Sequence, residues 1–223
     1  MPARRRSKRV DPRPGLPEGL QRQWGETYRR THYRDLPWFS THPYSWLRRG
    51  VKEGWFRPGT RVLDVGCGAG TNALFLARSG FRASGTDLAP AAIEAARGRA
   101  ARLRLKVDFR VGDALRLPYP EHYFGGLVDV GCFHTLPPEL RRSYSQELGR
   151  VLRPGGKYLV SWVAREAASR FGPPHRPSLE EATAAFEKEF LFLRTEYENS
   201  GPGTLTTYHA LLERRAAPQP PPR

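Results

Sequence analysis

Arg61-Val62-Leu63-Asp64-Val65-Gly66-Cys67-Gly68-Ala69-Gly70 is the stretch on which the rest of the reading turns. A short apolar run is followed by glycine at positions 66, 68 and 70, and residues 71–79 then carry the apolar spacing of a helix. The pattern predicts a buried strand, a tight turn and a helix start. Glycine is needed where the main chain turns sharply and where a ligand must approach it without side chains in the way.

Working outward, strand and helix signals alternate. Phe81 to Thr86 reads as the next strand. Ala89-Pro90 opens a helix to about Leu103, with proline at a tolerated first-turn position. Strands are predicted over Lys106–Val111 and Phe124–Val130, and a helix over Pro137–Leu152 that stops at Arg153-Pro154-Gly155-Gly156. Lys157–Ala164 is a further strand, and Ser178-Leu179-Glu180-Glu181 is a capping-box start for a helix to about Lys188. Phe190–Tyr197 and Leu205–Glu213 read as a terminal hairpin joined by Asn199–Gly203. Strands separated by helices imply an α/β, doubly wound and mostly parallel sheet with right-handed crossovers. The hairpin adds one antiparallel strand. Ligands of such sheets bind at the carboxyl ends of the strands, where the strand order reverses.

Around this domain, expected at 57–215, lie three other segments. Residues 1–20, with the run Arg4-Arg5-Arg6-Ser7-Lys8-Arg9, read as a disordered basic tail, and 216–223 as a proline-rich one. Residues 21–56 hold four of the five tryptophans, so they read as a lid or packing segment. The 223 residues suffice for a core without disulfides, and two cysteines, Cys67 and Cys132, exclude a disulfide scaffold. Six scattered histidines show no metal-ligand spacing. No apolar stretch approaches a membrane span of about 20 residues, and no secretory signal is evident. A cytoplasmic protein with no membrane partner is the expectation. Net charge is +15, with 5 lysines and the rest of the 37 basic residues arginine. Such a field attracts anions, nucleic acid included, or simply solvates the surface.

Three strand ends carry the chemistry. A dinucleotide loop wants G-x-G-x-x-G, and counting from Gly66 the last position is Thr71. Asp64 inside the strand disfavours a nearby diphosphate and favours an ammonium and a sulfonium. That combination points to S-adenosylmethionine. Asp87, closing Ser84-Gly85-Thr86-Asp87, can accept from both ribose hydroxyls or cap the helix that follows. Asp113 in Val111-Gly112-Asp113-Ala114 can accept the adenine amine while Ala114 offers a backbone donor; the alternative is a turn aspartate.

On these residues the stretch from Arg61 to Tyr158 resembles the class I S-adenosylmethionine-dependent methyltransferases. Asp64, Gly66, Gly68 and Gly70 match the first motif of that family. Asp87 matches its ribose acid, Asp113 its adenine-side acid, and Leu152–Gly156 the turn before its fifth strand. The resemblance implies a Rossmann-like sheet of seven strands, the last antiparallel. Asp35-Leu36-Pro37-Trp38-Phe39, Val130–His134 and Gly172–His175 look like the thiopurine, thiol, halide and tellurite methyltransferase group. By that likeness Trp38 packs over the methionine end, and Phe133 and His134 border the active site.

The expected cofactor set is therefore Trp38, Asp64, Gly66, Cys67, Gly68 and Gly70 from the first half. Asp87, Leu88, Asp113, Ala114 and Val130 complete it. In-line displacement of a methyl group needs a base only where the acceptor must lose a proton, and His134 and His175 are the candidate bases. Both cysteines read as small packing residues. The expected acceptor is a small molecule carrying a thiol, halide, selenium or tellurium, hydroxyl or carboxylate, and the protein a monomer. A larger substrate such as RNA, protein or a natural product is the alternative. Asp129–His134 lacks the Asn/Asp-Pro-Pro-aromatic motif of enzymes that methylate exocyclic amines of bases.

Overall fold

A computed structural model of the chain describes residues 13, 15–164, 173–198 and 206–216. Its strands are β1 (Arg61–Val65), β2 (Arg82–Asp87), β3 (Asp108–Val111), β4 (Phe124–Val130), β5 (Leu152–Val163), β6 (Phe190–Glu198) and β7 (Thr207–Arg214). They form one sheet in the order β3-β2-β1-β4-β5-β7-β6. β1 pairs in parallel with β2 and β4, β2 with β3, and β4 with β5, while β7 runs antiparallel to both β5 and β6. The order reverses between β1 and β4, so the crevice opens at the carboxyl end of β1. The expected Rossmann-like α/β sheet, mostly parallel with one antiparallel strand, is the fold observed.

The helices are α1 (Glu18–Arg30), α2 (Ser45–Lys52), α3 (Thr71–Arg78), α4 (Pro90–Arg102), α5 (Arg141–Val151) and α6 (Leu179–Phe186). Strand residues alternate between two buried faces. Leu63, Leu127, Tyr158 and Leu212 pack with Tyr144, Leu148 and Phe186 of α5 and α6. Val62, Val128, Leu159 and Leu211 pack with Trp46, Leu47 and Leu76 of α2 and α3. Burial on both sides is why these strands read as continuous apolar runs. Ser178 accepts from the Glu181 N–H at 3.1 Å and Glu181 accepts from the Ser178 N–H at 3.1 Å, so the predicted capping box closes α6.

The N-terminal boundary differs from the sequence expectation. Arg13 forms an ion pair with buried Glu147 at 2.6 Å, Leu16 is buried, and α1 begins at Glu18, so residues 13 and 15–20 pack onto the domain rather than forming tail. Leu16, Leu20, Trp24 and Tyr28 recur every fourth residue, which places them along one helical stripe. The run at residues 4–9, residues 165–172 and 199–205, and most of the C-terminal segment lie outside the described residues.

Candidate active site

The glycine loop leaves β1 and enters α3 with left-handed backbone at Gly68 (φ +52°) and Gly70 (φ +82°). A Cβ on Gly68 would come within 2.8 Å of the Tyr28 hydroxyl, and one on Gly70 within 2.7 Å of the Phe109 ring. Side chains at either position would separate the loop from what covers it. At the next strand end, Asp87 uses both oxygens: Oδ2 accepts from the Gly68 N–H and Oδ1 from the Ala89 N–H, each at 2.9 Å. One carboxylate thus fixes the glycine loop and the approach to α4, and it keeps lone pairs free for a ligand.

Asp113, after β3, accepts from the Leu115 N–H at 2.8 Å and from the Leu16 N–H at 2.7 Å. The N-terminal stripe therefore runs along the crevice. Leu16 is anchored at the Asp113 end and Tyr28 lies over the glycine loop. The Trp38 indole N–H donates to the Tyr28 hydroxyl at 3.1 Å, and Trp38 meets Trp24 edge to face at 5.6 Å. Burial and the Asp87 carboxylate push the Tyr28 phenol well up, so it stays protonated. Arg99 of α4 fastens the rest of the cover: it donates to the Ala69 carbonyl at 2.6 Å and packs 5.3 Å from the Phe39 ring.

The electrostatics of the crevice are one-sided. Asp64 is buried at the end of β1 and accepts from the Ala73 N–H at 3.1 Å. Its carboxyl is raised to about 8 by burial, and further by Asp129 and Asp87. Asp87 is itself raised by burial. Bringing a diphosphate here would add repulsion, whereas a cationic ligand would relieve it. This set of carboxyl acceptors therefore fits the cationic S-adenosylmethionine.

Beyond β4 the chain turns on Asp129, which sequence reasoning left out of the site. It accepts from the Cys132 and Phe133 N–H groups at 2.7 and 3.0 Å and from the Tyr144 hydroxyl at 2.7 Å. The signal was available: like Asp64, it is an acid inside an otherwise apolar strand. This turn carries His134, whose Nδ1 accepts from the Val163 N–H at 3.0 Å. Burial holds the His134 imidazole down at about 4. The proton is therefore on Nε2, which leaves His134 an N–H donor at that atom and no free base at Nδ1. His175 lies half-buried in the extended segment before α6. Leu88 packs on the α5 and α6 face and Val130 on the α2 and α3 face, on either side of the crevice, and Ala114 is buried beside Asp113. Burial raises both the Cys67 and Cys132 thiols well above their ordinary value, so neither is a thiolate. Among the described residues, no His, Cys, Asp and Glu group could hold a metal ion.

Comparison with known proteins agrees with this geometry. Residues 62–156 match the family model described as "Methyltransferase domain". The chain is 35% identical over 150 residues to a 2-heptyl-1-hydroxyquinolin-4(1H)-one methyltransferase of Mycobacteroides abscessus, covering 65% of each chain. It is 33% identical to a demethylmenaquinone methyltransferase of Deinococcus radiodurans, covering 58% of each. The chain thus spans about two thirds or less of the length of these relatives. Among solved structures, one described as "Conversion of a Disulfide Bond into a Thioacetal Group during Echinomycin Biosynthesis" superposes with a TM-score of 0.77 at 24% identity, covering 88% of this chain and 93% of that one. TehB from Haemophilus influenzae superposes with a TM-score of 0.66 at 17% identity, covering 77% and 62%. These two likenesses establish the fold.

Proposed function

We propose, from the match of residues 62–156 to a methyltransferase domain, that the chain transfers a methyl group from S-adenosylmethionine to a small-molecule acceptor. The observation that carries this reading is the row of acids at successive strand ends, buried Asp64 and half-buried Asp87 and Asp113, under a cover that runs from Leu16 to Tyr28. When bound, S-adenosylmethionine supplies a methyl group on a positively charged sulfur. In this assignment Asp87 accepts from the ribose hydroxyls, and Asp113 with Ala114 flanks the adenine. Asp64 and the loop Gly66-Cys67-Gly68-Ala69-Gly70 hold the ammonium end. Leu88 and Val130 form walls, and Tyr28 and Trp38 cover the methionine end.

The remaining work is geometric. A closed, dry crevice that aligns donor and acceptor accelerates an in-line displacement without further chemistry. In this assignment His134 offers its Nε2–H to orient the acceptor. A cover lying directly on the glycine loop suits a small acceptor. The relatives named above act on a hydroxyquinolinone and on demethylmenaquinone, so an aromatic hydroxyl or quinone-like acceptor is favoured here over a halide or tellurium oxyanion. Cationic residues do gather around two grooves of about 770 and 930 Å³, the larger lined by Arg61, Arg82, Arg97, Arg104 and Lys106. That larger groove lies at the amino ends of β1–β3, away from the crevice, so it gives no reason to place RNA at the methyl group.

The test is transfer of labelled methyl from S-adenosylmethionine to a panel of a naphthol, a hydroxyquinolinone, small thiols, iodide, carboxylic acids and total RNA. Label in a small extractable product is expected. Label in RNA alone, or in nothing, would overturn the reading.

A further inference from the structure

His209 sits on β7 on the same face as Leu211, where an imidazole would be costly unless both nitrogens were satisfied. Both are. Nε2 lies 3.1 Å from Glu198 Oε2 on β6, and Nδ1 lies 3.1 Å from the Tyr44 hydroxyl and 3.1 Å from Ser161 Oγ on β5. A carboxylate only accepts, so the Nε2 position carries the proton and the Nδ1 lone pair faces the two hydroxyls. Trp46 stacks on the ring at 5.4 Å and holds its plane.

The location matters more than the pairing. Ser161 is in register with Val130 at the end of β4, and the Gly131 N–H donates to the Ser161 carbonyl at 3.1 Å. The Tyr44 N–H donates to Asn72 Oδ1 at 3.1 Å, in the first turn of α3 directly after the glycine loop. Tyr44 therefore spans from the glycine-loop helix to the carboxyl end of β5. For these groups to take part in the reaction, the acceptor approaches the methyl group from that side of the crevice. Tyr44 is half-buried, while His209 is 1% exposed. Of the two, only Tyr44 is able to touch an acceptor.

We propose that Tyr44, His209 and Glu198 form a proton relay that takes the proton from a hydroxyl acceptor as it is methylated. The proposal rests on the methyltransferase reading above. Tyr44 is the catalytic residue, and His209 and Glu198 act through it. As the acceptor oxygen forms its bond to the methyl carbon, the carbon–sulfur bond breaks and the electron pair stays on sulfur. The acceptor proton passes to the Tyr44 oxygen while the Tyr44 proton passes to His209 Nδ1. The positive charge that began on sulfur ends on the imidazolium, against Glu198. Burial pushes the Tyr44 phenol up to about 12, so it rests as the neutral phenol.

The charged groups around His209 are Glu198 and Glu196 on β6, with Arg49 of α2 on Glu196 at 2.9 Å and Arg194 of β6 on it at 3.4 Å; Ser161, Tyr44 and Trp46 also pack on the ring. Burial lowers the imidazole below its ordinary value more than the two glutamates raise it. The base is therefore neutral near pH 7 and is lost as pH falls through that lowered value.

The experiment compares wild type with Tyr44→Phe, His209→Gln and Glu198→Gln on the acceptor panel from pH 5 to 9. S-adenosylhomocysteine affinity and the two-bond ¹H–¹⁵N spectrum of His209 are measured alongside. For a naphthol or hydroxyquinolinone, kcat is expected to fall about 10²–10⁴-fold in Tyr44→Phe and His209→Gln. The deficit should shrink as pH rises above the acceptor's own pKa, S-adenosylhomocysteine affinity should hold, and the spectrum should show the Nε2–H form. An equal deficit at every pH, an Nδ1–H form, or wild-type activity confined to iodide and thiols would overturn the relay and leave the methyltransferase reading intact. Absence of transfer by the wild type to any acceptor would overturn both.

Discussion

The two halves of the sheet use their strand ends differently. In the half formed by β3, β2, β1 and β4, the polar side chains are acids that grip backbone N–H groups: Asp64 on Ala73, Asp87 on Gly68 and Ala89, Asp113 on Leu115 and Leu16. In the half formed by β5, β7 and β6, the polar side chains grip one another: Ser161, His209 and Glu198, with Tyr44 brought in from the N-terminal segment. The first arrangement shapes a crevice for a cationic ligand. The second, in the relay proposed above, moves a proton. The difference teaches that cofactor binding here is built from local backbone geometry, and acceptor chemistry from side chains distant in sequence.

Substitutions that separate the halves are the sharpest probes of this contrast. The largest effect is expected in the second half, where Tyr44→Phe lowers turnover of hydroxyl acceptors by about two to four decades while cofactor affinity holds. Next is Asp87→Ala in the first half. Loss of a charged acceptor costs roughly 1.5–3 kcal/mol, so S-adenosylhomocysteine affinity should weaken about 10- to 100-fold by calorimetry. If Asp87→Ala instead left affinity unchanged in a folded protein, the acid would be only a brace for the glycine loop.

Protonation gives a third probe. Asp64 and Asp129 have carboxyls raised to about 8 and about 6, so the folded ligand-free protein binds more protons than the unfolded chain across that range. Its stability should therefore fall as pH rises from about 4 to 8. Asp64→Asn should flatten this fall, and S-adenosylmethionine should offset it in the wild type. Thermal unfolding at several pH values, with and without ligand, reads both. The smallest effect is a control in the second half: Ser178→Ala removes the α6 cap and should cost about 1 kcal/mol of stability, with no change in cofactor affinity.

Legibility in the sequence follows the same division. Asp64, the glycine loop, Asp87 and Asp113 fall in chain order on consecutive strand ends, so one pass along the chain finds them. Leu16 escaped because a proline-rich, basic surrounding masked the four-residue stripe that continues through Leu20, Trp24 and Tyr28. The sequence offers His134 as a candidate base, yet not its tautomer: the Val163 N–H on its Nδ1 puts the proton on Nε2. His209 gave no local sign at all. Its partners lie 165, 48 and 11 residues away and meet only through strand register and the docking of the N-terminal segment.

The most direct test of the central claim is a parallel calorimetric titration of the purified protein with S-adenosylhomocysteine and with NAD, each repeated on Asp87→Ala. The account predicts that wild type binds S-adenosylhomocysteine and not NAD, and that the substitution weakens binding by one to two decades. Binding of NAD without S-adenosylhomocysteine would contradict it.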